Sequence, residues 1–144
     1  MNTSANLGTR ILLAEADADF REFLASTLRE DGHDVIEVSD GADLLALAMS
    51  WIRDAEPPLG RVIISEEALP GFSGVEVLSS FRAVDRCTPF ILVVGLGDSH
   101  TRNKARLLGA TVVFEKPFDV DALRAVVLKL LRGPIRSPRY VADT

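Results

Sequence analysis

Short apolar runs alternate along the chain with segments in which hydrophobic residues recur at helical spacing. The apolar runs are rich in Ile, Leu, Val and Phe and predict buried strands. They lie at 11–14, 35–38, 62–65, 90–94 and 111–114. Between them, apolar residues recur every three or four positions, as Phe20, Leu24 and Leu28 do, which predicts helices. The predicted helices include residues 20–28, 44–52, 75–81, 99–108 and 119–132.

Strands that alternate with helices over five units predict an α/β fold with a parallel sheet covered on both faces. Right-handed crossovers make such a sheet doubly wound, and its ligand sites lie beyond the carboxyl ends of the strands. We predict one domain over residues 10–132, a disordered N-terminus at 1–9 and a C-terminal tail at 133–144. The proline-rich segment 57–60 is predicted to be a loop.

Composition fits a single soluble domain without a disulfide framework. The 144 residues are 47% hydrophobic and 26% charged, and the net charge of −5 argues against a broad nucleic-acid surface. A single cysteine, Cys87, excludes a disulfide or a cysteine-based zinc site within one chain. No apolar run approaches a membrane span and no secretory signal is visible, so a cytoplasmic location is expected. His33 and His100 are expected to face solvent at the ends of elements.

Charged residues follow three of the predicted strands and so meet at one edge of the sheet. Glu15 and Asp17 follow strand one, Glu66 and Glu67 follow strand three, and Lys116 follows strand five. Taken singly, Asp17 and Glu67 are better explained as solvated residues or helix caps. Glu15, Glu66 and Lys116 come from three separate strands, and we predict that they form a polar site. Carboxylates so close raise each other's proton affinity, whereas the lysine favours their ionised forms.

The order of elements and four motifs resemble the receiver domain of two-component response regulators. The motifs are ILLAEADADFREFLASTL, VIISEEALPGFSGVEVL, TPFILVVG and GATVVFEKPF, and the resemblance covers about residues 10–131. It implies a flavodoxin-like (CheY-like) sheet of strand order 2-1-3-4-5 with five helices. It also implies phosphoryl transfer from a histidine kinase to an aspartate that ends strand three, with magnesium held by an acidic pair after strand one.

Four positions depart from that family pattern, although Lys116 and the proline after it match. The phosphoacceptor position carries Glu66 instead of aspartate, and the extra methylene moves the carboxylate by about 1.5 Å. A displacement near 1 Å between reacting groups lowers the reaction rate by about a hundredfold. Ala16 stands for the second acidic residue and offers magnesium no oxygen. The family has a Ser or Thr at the end of strand four that contacts the phosphoryl oxygens. Val94 occupies that position here and cannot form a hydrogen bond with a phosphoryl group. In the family, an aromatic residue in strand five often moves when the domain switches state, and Val113 occupies that position here. The neighbouring Phe114 should face the other side of the strand.

Three functions are compatible with these residues. The first is a phosphorylation-independent receiver, or pseudo-receiver, that is not an enzyme, needs no cofactor, and uses a Glu66–Lys116 contact as a permanent charge. The second is a conventional magnesium-dependent phosphoacceptor with a tolerant site, in which Glu15, Glu66 and Glu67 gather the metal. The third is a cofactor-binding enzyme of the same fold class. That enzyme needs a phosphate-cradling loop after strand one, where the sequence AEADAD would repel phosphate.

Basic residues are concentrated in the C-terminal half of this acidic chain. Arg102, Lys104 and Arg106 lie on predicted helix four, and the resemblance implies that the face of helix 4, strand 5 and helix 5 meets partners. We predict an acidic protein partner or self-association through this face, with no nucleic acid and no membrane. The plainer explanation is a solvated helix surface. No output domain has room after helix five, which favours a stand-alone receiver or a fragment of a longer regulator.

Overall fold

Strands and helices alternate through the whole part of the chain that the computed structural model describes, residues 9–53 and 60–132. The strands are β1 Thr9–Ala14, β2 Asp34–Val38, β3 Gly60–Glu66, β4 Phe90–Val94 and β5 Val112–Glu115. The helices are α1 Ala18–Glu30, α2 Gly41–Arg53, α3 Gly74–Arg82, α4 Ser99–Leu108 and α5 Val120–Arg132. The predicted alternation is confirmed. The predicted tail, residues 1–8 and most of the predicted loop lie outside the described residues.

The strands form one parallel sheet in the order β2-β1-β3-β4-β5, which confirms the implied topology. The strand order changes direction at β1, so the loops after β1 and β3 leave the sheet side by side. The register pairs Ala14 with Ser65 on β3 and with Val38 on β2. Because these residues are level, Glu15 and Glu66 emerge next to each other at the carboxyl edge.

The sheet is covered on both faces, and alternate residues of each strand enter opposite halves of the core. Leu12 and Ile63 pack on the side of α2, α3 and α4, whereas Ile11 and Ile64 pack on the side of α1 and α5. Every residue of β4, which lies between β3 and β5, is buried, as its continuous apolar run predicts. The adjacent β5 residues also divide between the faces. Val113 packs in the first half and Phe114 in the second, which confirms their predicted orientations.

The structure corrects the start of β1 and the placement of one histidine. β1 begins at Thr9, which the sequence pattern assigns to the disordered N-terminus, because Thr9 pairs with Gly60 across the sheet. The Thr9 hydroxyl lies 2.9 Å from Nδ1 of His33. His33 is only 5% exposed, so the prediction that it faces solvent is wrong. A buried ring nitrogen needs a hydrogen-bonding partner, and the Thr9 hydroxyl supplies it.

Two further boundaries differ from the sequence-based prediction. Gly60, predicted to belong to a loop, is the first residue of β3 because it pairs with β1. β5 begins at Val112 and ends at Glu115, one residue later than predicted. Thr111 instead stands just before the strand, where its hydroxyl accepts a hydrogen bond from the Phe90 amide at 3.0 Å. The shift brings Glu115 into the strand, directly before Lys116.

Candidate functional site

The end of β3 places Glu66 at the carboxyl edge of the sheet with its side chain buried. Glu66 is 7% exposed and Glu15, at the end of β1, is 3% exposed. The first residue of α3 lies close behind this strand end. A Cβ atom on Gly74 would stand 2.5 Å from the carbonyl oxygen of Glu66, so only glycine allows this approach. Glu66 is thus the last residue of β3, and Glu15 directly follows β1, where its amide donates a hydrogen bond to the Val38 carbonyl oxygen at 3.1 Å.

Glu15, Glu66 and Lys116, called here the Lys116 cluster, are in contact. The Lys116 Nζ atom lies 3.2 Å from Oε1 of Glu66 and 3.4 Å from Oε1 of Glu15. The second oxygen of Glu66 accepts a hydrogen bond from the Ala16 amide at 2.7 Å. The second oxygen of Glu15 accepts one from the Asp17 amide at 3.0 Å. All four carboxylate oxygens thus have a donor, and two acids share one cation.

The surplus of acid over base changes the proton affinities inside the cluster. Burial and the closeness of the Glu66 carboxylate raise the pKa of Glu15 above its ordinary value of 4.5, and they outweigh the Asp17 amide and the Lys116 charge, which lower it. Burial by itself lowers the pKa of Lys116, but the hydrogen bond to Glu66 and the charges of both acids outweigh it. The Lys116 pKa is therefore raised, and the lysine stays charged. The cluster holds a proton more readily at Glu15 than an exposed glutamate does.

The other two acidic residues predicted for the pocket make different contacts. The carboxylate of Asp17 accepts hydrogen bonds from the amides of Asp19 and Phe20 and caps α1. The carboxylate of Glu67 accepts a hydrogen bond from the Val75 amide at 2.8 Å, in the first turn of α3. Burial raises the pKa of Glu67. Neither acid contacts Lys116, which leaves the buried cluster to the residues on three strand ends.

Three positions around the cluster carry only aliphatic side chains. Ala16 is exposed and contributes its backbone amide to Glu66. Val94, at the end of β4, is 1% exposed and packs in the core with its methyl groups. Val113 is half-buried against the same side of the core. None of the three side chains can donate or accept a hydrogen bond at the site.

The donor set does not fit a magnesium ion, which prefers six oxygens in near-octahedral geometry. Within residues 9–53 and 60–132, no group of three or more His, Cys, Asp or Glu side chains is placed to hold a metal. Ala16 has no oxygen to offer, and the Asp17 carboxylate is turned to the helix cap. The oxygens of Glu15 and Glu66 already accept hydrogen bonds from two amides and the Lys116 ammonium.

A second charge cluster, called here the Glu115 cluster, lies one residue away in sequence and is not predicted by any motif. One oxygen of Glu115 accepts a hydrogen bond from the Gly97 amide at 2.6 Å, and the other accepts from the Arg102 guanidinium. The pair is half-buried, with 31% of the Arg102 side chain and 27% of the Glu115 side chain exposed. It ties α4 and the loop before it to the end of β5.

This ion pair changes the basic face predicted on α4. Arg102 is turned to Glu115 and is only partly available to a partner. Lys104 and Arg106 are exposed on the same helix. Arg102 and Glu115 are thirteen positions apart, a separation that gives no periodic signal, so only the packing of α4 on β5 brings them together. Sequence reasoning could have found the pair only by noticing an acid at a strand end opposite a basic helix.

Residues 11–128 match the family model described as the response regulator receiver domain. The chain belongs to this family. The match runs from β1 to within α5 and includes both charge clusters. Within the described ranges of this receiver domain, no helix combines the length and the apolar character that a membrane crossing requires.

Curated relatives share the receiver domain at low to moderate identity. The chain is 24% identical over 131 residues to sporulation initiation phosphotransferase F of Bacillus subtilis, covering 91% of this chain and 98% of that protein. It is 33% identical over 132 residues to the transcriptional regulatory protein TcrA of Mycobacterium tuberculosis, again over 91% of this chain but 49% of that protein. The chain thus spans nearly all of one relative and about half of the other.

Solved structures show the same fold. A response regulator receiver domain protein from Clostridium thermocellum superposes with a TM-score of 0.75 at 19% identity, covering 92% of this chain and 98% of that one. The chemotaxis response regulator CheY4 of Vibrio cholerae superposes with a TM-score of 0.70 at 22% identity, covering 85% and 98%. At these identities the likeness concerns the arrangement of strands and helices alone.

Proposed function

We propose that this receiver domain is a cytoplasmic, phosphorylation-independent signalling module that acts by binding another protein and is not an enzyme. One observation carries the proposal. Both oxygens of Glu66, the residue at the phosphoacceptor position, are engaged, one with Lys116 at 3.2 Å and one with the Ala16 amide at 2.7 Å. Glu66 therefore already makes the charge contact that a bound phosphoryl group would otherwise offer to the lysine.

The chemistry of phosphoryl transfer supports this reading of Glu66. A carboxylate nucleophile must approach phosphorus in line while cations neutralise the phosphoryl oxygens. Attack by Glu66 would break its contact with Lys116 or with the Ala16 amide, both of which it makes while 7% exposed. Without a second acid at position 16, the site also lacks the oxygen needed to recruit a metal. The two requirements of the reaction, a free carboxylate nucleophile and a bound metal ion, are therefore weakened separately.

Signal propagation from the site is also altered. A hydroxyl at position 94 would be drawn toward a phosphoryl group, whereas Val94 is held in the core by apolar packing. Val113 has neither the ring nor the polar atom of an aromatic switch residue and packs against the same core. These two valines favour a domain that keeps one conformation and offers a constant surface to its partner.

The relatives support a role in two-component signalling but leave the partner open. Their names describe a phosphotransferase and a transcriptional regulatory protein. We propose that this chain works through a protein partner or a second copy of itself. The face of α4, β5 and α5 is one candidate surface, with Lys104 and Arg106 exposed on it.

A conventional magnesium-dependent phosphoacceptor is the second candidate. The observation that favours it is the convergence of two carboxylates, Glu15 and Glu66, within 3.4 Å of Lys116. If a metal displaced the lysine and one amide, these oxygens would form part of a coordination shell. Calorimetry with magnesium and beryllofluoride separates the candidates, because saturable heat is expected only of the conventional receiver.

Phosphorylation with acetyl phosphate and magnesium, followed by intact-mass measurement, tests the proposal directly. We expect no adduct on the wild-type chain. A variant that combines Ala16→Asp, Glu66→Asp and Val94→Thr restores the missing oxygens and serves as the matched comparison. It is expected to gain an adduct, and an active receiver domain treated in parallel shows that the reagent works. A stoichiometric adduct on the wild type that disappears in Glu66→Gln would refute phosphorylation independence.

A further inference from the structure

A groove with a volume of about 410 Å³ lies between the C-terminal ends of α3 and α4. We call it the α3–α4 groove; its walls include Arg82, Arg86, Leu107, Leu108 and Gly109. Helices of a doubly wound sheet run antiparallel to its strands, so this groove lies at the edge opposite to the Lys116 cluster. It is therefore separate from the phosphoacceptor position.

Arg82 is held in place along this groove before any partner binds. Its Nε atom donates to the Gly109 carbonyl oxygen at 2.9 Å, and an Nη atom donates to the Asp85 carbonyl oxygen at 3.2 Å. Gly109 ends α4 with φ of 104°, and a Cβ atom there would lie 3.1 Å from Arg82 Nε. Glycine thus permits both the left-handed turn and the close approach of the guanidinium. A cation fixed in this way loses little conformational entropy on binding.

The charge of Arg82 is not matched by an acid at ion-pair distance in the described parts of the chain, where its partners are backbone carbonyls, a threonine hydroxyl and the ring of Phe81. The nearby Asp85 carboxylate is turned away and accepts hydrogen bonds from the amides of Cys87 and Thr88. Burial lowers the pKa of Arg82, although the charge of Asp85 opposes this. The half-buried cation is therefore bonded but electrostatically unbalanced, which favours an incoming carboxylate.

An exposed cation, Arg86, and an exposed leucine, Leu107, line the groove beside Arg82, and Arg106 lies on the adjoining helix α4. Arg86 and Arg106 are exposed, and α4 carries no acidic residue between Ser99 and Leu108. Leu107 is 88% exposed and lines the groove. Burying such a side chain against an apolar partner is favourable because it removes apolar surface from water. The surface therefore combines positive charge with an apolar contact point, in a protein whose overall charge is −5.

We propose that the α3–α4 groove binds an acidic segment of another protein in which an apolar side chain stands between carboxylates. The carboxylates pair with Arg82 and Arg86, and the apolar side chain packs on Leu107. The inference rests on the proposed function only in taking protein binding as the output. A peptide titration at this groove and the phosphorylation assay report on different edges of the sheet, so either can fail without the other.

Nuclear magnetic resonance of the ¹⁵N-labelled full chain tests this, with the acetylated and amidated peptide Asp-Glu-Leu-Asp-Glu as the probe. We expect saturable shifts concentrated at residues 79–86 and 105–109. Arg86→Glu and Leu107→Ser should each weaken binding by about fivefold or more. Arg53→Glu, a charge reversal at an exposed position on α2, should leave affinity within about twofold of the wild type. A peptide with serine in place of leucine keeps the charge and should bind more weakly.

Several results would overturn the inference. Absence of saturable shifts at millimolar peptide would do so, as would shifts spread equally over the basic residues of α5. Shifts at the groove that depend on protein concentration without peptide would identify a second copy as the occupant instead. Circular dichroism and unfolding midpoints check that the variants are folded, which is expected because Arg86 and Leu107 are exposed.

Discussion

Residues 115 and 116 are neighbours in the chain, yet their side chains build two charge clusters of different character. In the Lys116 cluster, one lysine serves two carboxylates, and Glu15 and Glu66 are at most 7% exposed. In the Glu115 cluster, one arginine serves one carboxylate, and both side chains are about 30% exposed. The first cluster has a surplus of negative charge in the interior, whereas the second is balanced near solvent.

The difference shows how depth determines the consequence of an unbalanced charge. Interactions between charges strengthen as the surrounding dielectric constant falls, and so does the cost of leaving a charge without a partner. Lys116 therefore pairs with two buried acids at once, and burial together with the neighbouring Glu66 raises the proton affinity of Glu15. Solvent screens the Glu115 cluster, whose main effect is to position α4.

Removal of the shared lysine is expected to have the largest effect. Lys116→Met leaves Glu15 and Glu66 buried without a cation, and we expect a loss of about 2 kcal/mol in the free energy of unfolding. The loss is smaller than for a fully buried pair because 37% of the Lys116 side chain is exposed. Urea unfolding at neutral pH measures it.

The double variant Lys116→Met, Glu15→Gln provides the control for this measurement. Removing one of the two acids relieves their repulsion, so the double variant should be more stable than Lys116→Met alone. If Lys116→Met unfolds at the wild-type urea concentration, the two acids are not held by the lysine and the comparison between the clusters fails.

Disruption of the Glu115 cluster should have a smaller and more local effect. Glu115→Gln weakens the ion pair with Arg102, and we expect a loss of about 1 kcal/mol in unfolding free energy. Amide hydrogen exchange at Gly97 and in the first turn of α4 should become faster, because the carboxylate binds the Gly97 amide directly. Asp121→Asn removes the more exposed pair on α5 and should leave both measurements unchanged. Unaltered exchange at Gly97 in Glu115→Gln would show that the pair does not position α4.

The pH dependence of stability is expected to give the smallest effect. The folded protein binds a proton at Glu15 more tightly than the unfolded chain, whose carboxyl has the ordinary pKa of 4.5. The contribution of Glu15 to stability is therefore present below pH 4.5 and is lost as the pH rises through its folded pKa. Glu15→Gln should gain stability relative to wild type over that rise, as measured by urea unfolding between pH 4.5 and 7.5.

Asp31 supplies a control of opposite sign. Its hydrogen bond to Arg124 lowers the pKa of its carboxyl below 3.8, so its contribution is present above that pH and is lost as the pH falls. Asp31→Asn should therefore be less stable than wild type near neutral pH and approach wild-type stability in acid. Glu15→Gln should be more stable than wild type near neutral pH and also approach wild-type stability in acid. If the difference in unfolding free energy between Glu15→Gln and wild type does not change with pH, burial does not raise the pKa of Glu15.

The sequence by itself determined the alternation of strands and helices, because hydrophobic periodicity is a local property. It also identified the strand ends that carry Glu15, Glu66 and Lys116, since parallel strands bring their carboxyl ends to one edge. The replacements at Ala16 and Val94 are visible in the sequence because they depend only on residue type. These local features were sufficient to predict the fold and to select the candidate pocket.

Tertiary structure alone decided which of these side chains make contact. The Glu115–Arg102 pair, the Thr9–His33 contact that buries a histidine, and the groove beside Arg82 join residues far apart in the chain. No periodic pattern links such residues, because their approach depends on how helices pack on the sheet. The same packing brought Glu67 to the start of α3 and left two acids to share one lysine, whereas the Asp17 cap on α1 is a local contact that the sequence already suggests.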